Sequence, residues 1–230
     1  TGSTEIGRQL EADCASTLKR TSMVLGGNAP FIVFDDANIN AAIEGAMISK
    51  YRNSGQTCVC ANRFLIQDNI HDEFVDKFAL AVERLKMGDG LEEGVQQGPL
   101  INERAAVSVE QMVKSSLVDG AKLILGGERS GLGPCFFRPT ILTEVTSNMT
   151  VFRNEIFGPV APITRFSSEE ECIELANDTE FGLASYLYTR DIGRVWRVSE
   201  ALEYGMVGIN EGIISNEMAP FGGVKASGSG

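Results

Sequence analysis

The residues best able to do chemistry lie in one stretch, Arg52-Asn53-Ser54-Gly55-Gln56-Thr57-Cys58-Val59-Cys60. A thiol follows a glycine-marked turn, with a guanidinium six residues upstream and a second thiol two residues on. An exposed thiol in an electropositive surround ionises near neutral pH and attacks electrophilic carbon. Cys58 fits that description: Gly55 permits an unusual backbone, Gln56 and Thr57 are polar, and Arg52 is cationic. On these residues alone a catalytic and a structural reading of Cys58 both stand. Cys60 shares its face if the segment is extended, with Cα atoms about 6.5–7 Å apart, the upper limit for a disulfide. A strained, reversible bridge to Cys58 and simple packing of Cys60 are both open.

The remaining reactive groups point elsewhere. The single histidine, His71, opens a helix, where it reads as a capping or surface residue and not as part of a triad. One histidine and a lone Cys-x-Cys make poor zinc spacing, so no metal site is expected. Cys14 and Cys172 fall on apolar helix faces and read as small core residues. Cys135 precedes Phe136-Phe137 in a loop, and nothing assigns it a role.

The elements that must position Cys58 follow from periodicity and punctuation. Ser3 or Thr4 caps a helix reaching about Lys19, with Ile6, Leu10 and Cys14 on one face. Its free N–H groups can take an anion such as a nucleotide phosphate, or Ser3 is an ordinary cap. Strands are expected at 21–25 and 31–34, the second ended by Asp35-Asp36, which can cap a helix over 38–51. That helix delivers Arg52 and the cysteine stretch. Further strands are expected at 63–67, 121–125, 141–145, 160–166, 184–188 and 206–210. Helices fall at 70–85, 103–118, 168–177 and 192–202. Strands alternating with helices predict a largely parallel α/β sheet.

With 43% hydrophobic and 22% charged residues, the 230-residue chain can build a sizeable core. The net charge of −11 and the absence of any basic run argue against a nucleic-acid partner. No apolar run approaches a membrane span. Five irregularly spaced cysteines suit a reducing, intracellular compartment better than a secreted disulfide framework. The chain opens on Thr1-Gly2-Ser3-Thr4 as a strand-to-helix turn and ends on Ala226-Ser227-Gly228-Ser229-Gly230, and it reads as a piece of a longer protein.

Gly55-Gln56-Thr57-Cys58, preceded by Leu25-Gly26-Gly27 and followed by Glu155-Ile156-Phe157-Gly158-Pro159 and Phe221-Gly222-Gly223-Val224-Lys225-Ala226-Ser227-Gly228, resembles the aldehyde dehydrogenase superfamily. The match runs the length of the chain. Arg52 to Cys60 and Gly208-Ile209-Asn210-Glu211-Gly212-Ile213-Ile214-Ser215 are most similar to its bacterial succinate-semialdehyde-oxidising branch. The resemblance implies the fold's C-terminal half. Residues 1–26 would be the tail of a Rossmann-like dinucleotide-binding domain. Residues 27–226 would form the catalytic domain, with a mainly parallel sheet flanked by helices, and 227–230 a truncated link. It implies an oxidoreductase converting succinate semialdehyde, or a similar short carboxy-aldehyde, to the acid with NAD or NADP. Cys58 would carry the acyl group as a thioester, its backbone N–H helping to hold the oxyanion. Gly2 and Ser3 would meet the pyrophosphate, Leu25 and Gly26 the nicotinamide, Glu155 the nicotinamide ribose, with Phe157 packing nearby. Arg52 and Ser215 would grip the substrate's distal carboxylate, a task suited to a guanidinium. Cys60 matches a cysteine that pairs reversibly with the nucleophile in some relatives. A homodimer or homotetramer and a cytoplasmic location are implied, with the mitochondrial matrix left open.

Two departures from the pattern matter. The family's N-terminal half, with its oxyanion asparagine and the residues that choose NAD or NADP, is absent from the chain. At the position where the family places the glutamate that activates hydrolytic water stands Val24, in Ser22-Met23-Val24-Leu25-Gly26-Gly27. Losing a general base costs on the order of 10²–10⁴-fold in the step it serves. Three consequences are open: a trapped acyl-enzyme, a degenerate relative that no longer hydrolyses, or water activated by another group. A catalytically dead scaffold or assembly subunit is the competing reading, and a coenzyme-A-acylating relative a weaker third.

Overall fold

The computed structural model describes residues 1–229. In chain order the elements are α1 (Thr4–Ala15), β1 (Met23–Val24), β2 (Ala29–Val33), α2 (Ile39–Tyr51), β3 (Ala61–Gln67), α3 (His71–Glu83) and α4 (Glu103–Val118). There follow β4 (Lys122–Leu125), β5 (Thr140–Thr143), α5 (Thr150–Arg153), β6 (Val160–Phe166), α6 (Glu169–Asn177), β7 (Phe181–Gly182) and β8 (Ala184–Tyr188). The chain continues with α7 (Ile192–Ala201), β9 (Met206–Ile209), β10 (Val224–Lys225) and β11 (Gly228–Ser229). Short 3-10 turns at Arg52–Gly55 and Asp68–Ile70 join α2 to β3 and β3 to α3.

The main sheet runs β4-β5-β6-β3-β2-β8-β9. Its pairings are parallel except at the β4 edge, where β4 lies antiparallel to β5. Parallel strands need crossovers, and each crossover helix covers a face of the sheet. β2 shows the result residue by residue. Phe31 and Val33 point into a cluster with Ala42 and Ala46 of α2 and Phe74 and Phe78 of α3. Ile32 and Phe34 point the other way, to Val109 and Val113 of α4, Cys172 of α6 and Val198 of α7. Period-2 alternation with both faces apolar is why the strand reads as a continuous hydrophobic run. The α/β class and mainly parallel sheet expected from the sequence are what the chain adopts. Among the described residues no helix is long and apolar enough to cross a membrane.

Several local expectations are corrected. The cap of α2 is Asn38, whose side chain accepts from the Ala41 N–H at 3.3 Å. Asp36 instead accepts from Thr189 Oγ1 and from the N–H groups of Arg190 and Asp191, and pairs with Arg194 at 2.8 Å, tying the exit of β2 to that of β8. The expected apolar face of α1 lies open: Ile6 and Leu10 are about half exposed, Cys14 is only partly covered, and Gly7 is the helix's one buried residue. His71 is 2% exposed and not a surface residue; its Nδ1 faces Asp72 at 2.9 Å. Cys172 is buried in the core as expected. The chain end forms two further pairings: β10 with β7, and β11 with β1.

Candidate functional site

Three of the sequence motifs meet at one place, the amino ends of parallel strands. Gly27 leads into β2, Cys58 into β3, and Glu155 to Pro159 into β6. The usual rule for parallel sheets puts ligands at the carboxyl ends. Here the loops entering the strands, and not those leaving them, build the site.

Backbone contact explains why these loops are rich in glycine. A Cβ on Gly27 would lie 2.0 Å from the Cys58 carbonyl oxygen, so the Leu25-Gly26-Gly27 turn packs directly on the Cys58 backbone. A Cβ on Gly55 would lie 2.2 Å from the Gly158 carbonyl oxygen, and Gly55 has φ +74°. Asn53 and Ser54, with φ 57° and 54°, share that left-handed conformation. Such backbone costs roughly 1 kcal/mol or more per non-glycine residue and persists only where the surroundings over-determine it. They do so here. Asn53 Nδ2 donates to the Gln56 carbonyl at 3.0 Å, Ser54 Oγ to the Gly98 carbonyl at 3.2 Å, and the Ile101 N–H to Gln56 Oε1 at 2.8 Å.

Cys58 lines a cavity of about 590 Å³ with Gly2, Ser3, Leu25, Gly26, Gln56, Glu155 and Phe157 among its walls. The six cofactor-side residues expected from the sequence thus share one cavity with the thiol. Ser3 caps α1, accepting from the Ile6 N–H at 3.4 Å, so the helix start opens into this space. Glu155 Oε1 accepts from the Gly27 N–H at 3.0 Å. Gly26 sits against the other carboxylate oxygen: a Cβ there would be 3.0 Å from Oε2. Phe157 is held at φ 50° and is 42% exposed.

The electrostatics of the thiol differ from the expectation. The Cys58 pKa is raised and not lowered, first by burial and then by the nearby Glu155 carboxylate. The amides of Cys58 and Val59 act in the opposite sense, and neither donates to another backbone group among the described residues. These two N–H groups favour negative charge on the Cys58 sulfur. Glu155 is itself pushed up from 4.5 to about 7 by burial, against the pull of the Gly27 N–H and the Lys50 charge. Near neutral pH the site thus holds a largely protonated thiol beside a carboxyl poised between its two states.

The other expected residues lie apart from the cavity. Arg52 is exposed, forms no ion pair among the described residues, and lines a separate hollow of about 320 Å³ with Tyr51 and Gln96. Ser215 is exposed on the loop after β9. Val24 packs against the apolar cluster beneath β2 and β3. Cys60 is buried, its Sγ turned to the Lys50 and Ala61 carbonyls at 3.5 and 3.3 Å. The segment is not extended, since the Cys60 N–H closes a turn on the Thr57 carbonyl at 3.1 Å, and both thiols are free.

Three supports had no role marked in the sequence, although Ser227 falls inside the Phe221–Gly228 motif. Asn62 donates to Asn28 Oδ1 at 2.6 Å and to the Asn154 carbonyl at 2.8 Å, and accepts from the Ile156 N–H at 3.1 Å, so it clamps both sides of Glu155. Ser227 donates to the Gly26 carbonyl at 2.6 Å, accepts from the Gly182 N–H at 3.0 Å, and through its own carbonyl takes the Leu25 N–H at 2.9 Å. Lys50 is fully buried with no hydrogen-bond partner for Nζ among the described residues; the Cys60 thiol and the Glu155 carboxylate are the groups that favour its charge. A lysine inside a helix gives no hint of burial until the neighbouring elements are placed.

Comparison with known proteins agrees with this geometry. All of residues 1–230 match the model described as Aldehyde dehydrogenase family, and the chain belongs to that family. It is 62% identical over its whole length to a 3-sulfolactaldehyde dehydrogenase of Pseudomonas putida, covering 47% of that protein. It is 58% identical to the NADP(+)-linked succinate-semialdehyde dehydrogenase of Escherichia coli strain K12, covering 48% of it. Among solved structures, a succinate-semialdehyde dehydrogenase from Burkholderia pseudomallei superposes with a TM-score of 0.98 at 62% identity, over 99% of this chain and 47% of that one. The chain spans about half the length of the curated relatives it matches.

Proposed function

We propose that the full-length protein oxidises a short aldehyde bearing an anionic group at its far end, succinate semialdehyde being the first candidate, to the corresponding acid. The observation that carries this reading is the convergence of Cys58, Glu155 and the Leu25-Gly26-Gly27 turn on one cavity that the start of α1 also enters. The named substrates of the relatives support the anionic end, one carrying a sulfonate and the other a carboxylate.

The residues present fit a nicotinamide dinucleotide. The free N–H groups at the Ser3 cap suit a pyrophosphate. The side-chain-free Gly26 beside the Glu155 carboxylate leaves room for a flat ring and ribose. When bound, NAD or NADP supplies the hydride acceptor. Cys58 loses its proton and adds to the aldehyde carbon, and its own backbone N–H, with that of Val59, stabilises the oxyanion of the thiohemiacetal. Oxidation leaves a thioester on Cys58, which water must cleave. The family resemblance assigns the substrate's carboxylate to Arg52 and Ser215, although neither lines the cavity that holds Cys58. Val24 offers no proton acceptor, so thioester hydrolysis limits turnover. Assembly as a dimer or tetramer and an intracellular location belong to the same reading.

Rapid mixing of aldehyde and oxidised cofactor with near-stoichiometric full-length protein tests it. The expected trace is a burst of reduced cofactor close to one per site, then slow turnover. Fast steady turnover without a burst refutes the slow hydrolysis. A catalytically idle scaffold is the second reading, favoured by Val24 alone; absence of preferential Cys58 alkylation at neutral pH would support it.

A further inference from the structure

Hydrolysis of a Cys58 thioester needs a proton acceptor beside the thioester carbon, and position 24 offers only an apolar side chain. Val24 does not line the Cys58 cavity at all, but the cavity does hold another candidate. Glu155 shares the Cys58 cavity, and its carboxylate is oriented by two fixed contacts. Oε1 is held by the Gly27 N–H at 3.0 Å, and Gly27 in turn lies against the Cys58 carbonyl. The backbone on both sides of Glu155 is clamped by Asn62. Oε2 accepts no hydrogen bond from any described residue, and Gly26 beside it has no side chain to fill the space. One oxygen is thus anchored and the other is free toward the cavity that holds the nucleophile.

We propose that Glu155 Oε2 deprotonates the hydrolytic water, making Glu155 the catalytic base of deacylation in this chain. The proposal rests on the Cys58 thioester reading. The step balances without any co-reactant. Water oxygen bonds to the thioester carbon while one water proton passes to Oε2. The carbon–sulfur bond then breaks, the proton held by Glu155 goes to the departing Cys58 sulfur, and the products are the free acid, the thiol and the regenerated carboxylate.

The charges around Glu155 set when it can act. Lys50 of α2 faces it from beneath, and the thiols of Cys58 and Cys60 are its other titratable neighbours. Burial raises Glu155 to about 7, so it changes from proton holder to proton acceptor in the neutral range. That is the range in which a general base works best.

The test uses the full-length protein and p-nitrophenyl acetate without cofactor, so that any role of Glu155 toward a dinucleotide does not enter. The nitrophenol burst reads acylation of Cys58, and the steady rate after it reads deacylation. With a base near 7, the steady rate of the unsubstituted protein rises about tenfold from pH 6 to 8 and levels off above. In Glu155→Gln the burst persists, and the steady rate at pH 8 falls at least tenfold and loses its plateau. In the double variant Val24→Glu with Glu155→Gln the steady rate recovers, which a merely deformed site would not do. An unchanged steady rate and profile in Glu155→Gln overturns the proposal, and so does loss of the burst in that variant, which would put Glu155 in acylation. A missing burst in the unsubstituted protein overturns the thioester reading itself.

Discussion

Replacing Gly27 by alanine probes the tightest contact in the site. The new Cβ would stand 2.0 Å from the Cys58 carbonyl oxygen, and ordinary contact begins near 3.4 Å. The two backbones must therefore separate by about 1.4 Å. Neither side yields easily. Gly27 anchors Glu155 through its N–H, and Cys58 sits between the left-handed Asn53-Ser54-Gly55 turn and β3. A displacement of about 1 Å costs on the order of 10²-fold in a positioned reaction. Gly27→Ala is thus expected to slow acylation of Cys58 by p-nitrophenyl acetate roughly 10²-fold or more. Alkylation of the denatured protein, where all thiols are equal, stays unchanged. Gly90→Ala is the control, because nothing lies within 4 Å of its Cβ position. An acylation rate within twofold of the unsubstituted protein for Gly27→Ala would refute the claim that this turn and the nucleophile's backbone are in direct contact.

Other consequences are equally open to measurement. Burial holds the Cys58 pKa up and the Glu155 carboxylate adds to that rise, so Glu155→Gln should shift the pH profile of Cys58 alkylation by iodoacetamide to lower pH; an unshifted profile contradicts the coupling. Burial lowers the Lys50 pKa, so the folded state binds fewer protons than the unfolded state in the window just below 10.5. Its cost to stability therefore shrinks as pH rises toward 10.5. Thermal unfolding should show the unsubstituted protein gaining on Lys50→Met as pH rises toward 10.5, and parallel curves would refute this. Asn62→Ala leaves the Ile156 N–H and the Asn154 carbonyl without their partner, a loss of roughly 2–4 kcal/mol readable from urea unfolding. Ser227→Ala frees the Gly26 carbonyl and the Gly182 N–H, and it should weaken cofactor binding more than it slows thiol alkylation.

What the sequence made legible was whatever repeats locally. α4 falls on residues 103–118 as its periodicity and the Asp119-Gly120 stop require, and β6 on 160–166 as its apolar run requires. Cys58 stood out because a thiol after glycine and two polar residues is locally unusual. The cavity around it was legible only through resemblance, since Glu155 lies 97 positions from Cys58 and no local pattern joins them. The sign of the Cys58 shift was not legible at all. In sequence Arg52 is the near charge; in space burial raises the thiol's pKa most, and the Glu155 carboxylate adds to it. Asn62, Ser227 and Lys50 escaped for the same reason: their roles are partners across the fold, and polar residues carry no periodic mark of the groups they will meet. The exposed face of α1 shows the converse, a clear helical stripe in sequence with little of the described structure packed on it.

The central claim is that Cys58 carries an acyl group whose removal is slow because position 24 holds valine. Incubating the full-length protein with succinate semialdehyde and oxidised cofactor, quenching in acid and mapping peptides by mass spectrometry tests it directly. A near-stoichiometric acyl adduct on the peptide containing Cys58, absent from Val24→Glu treated identically, is the predicted result. An unmodified Cys58 while reduced cofactor accumulates, or an adduct equally abundant in Val24→Glu, would contradict it.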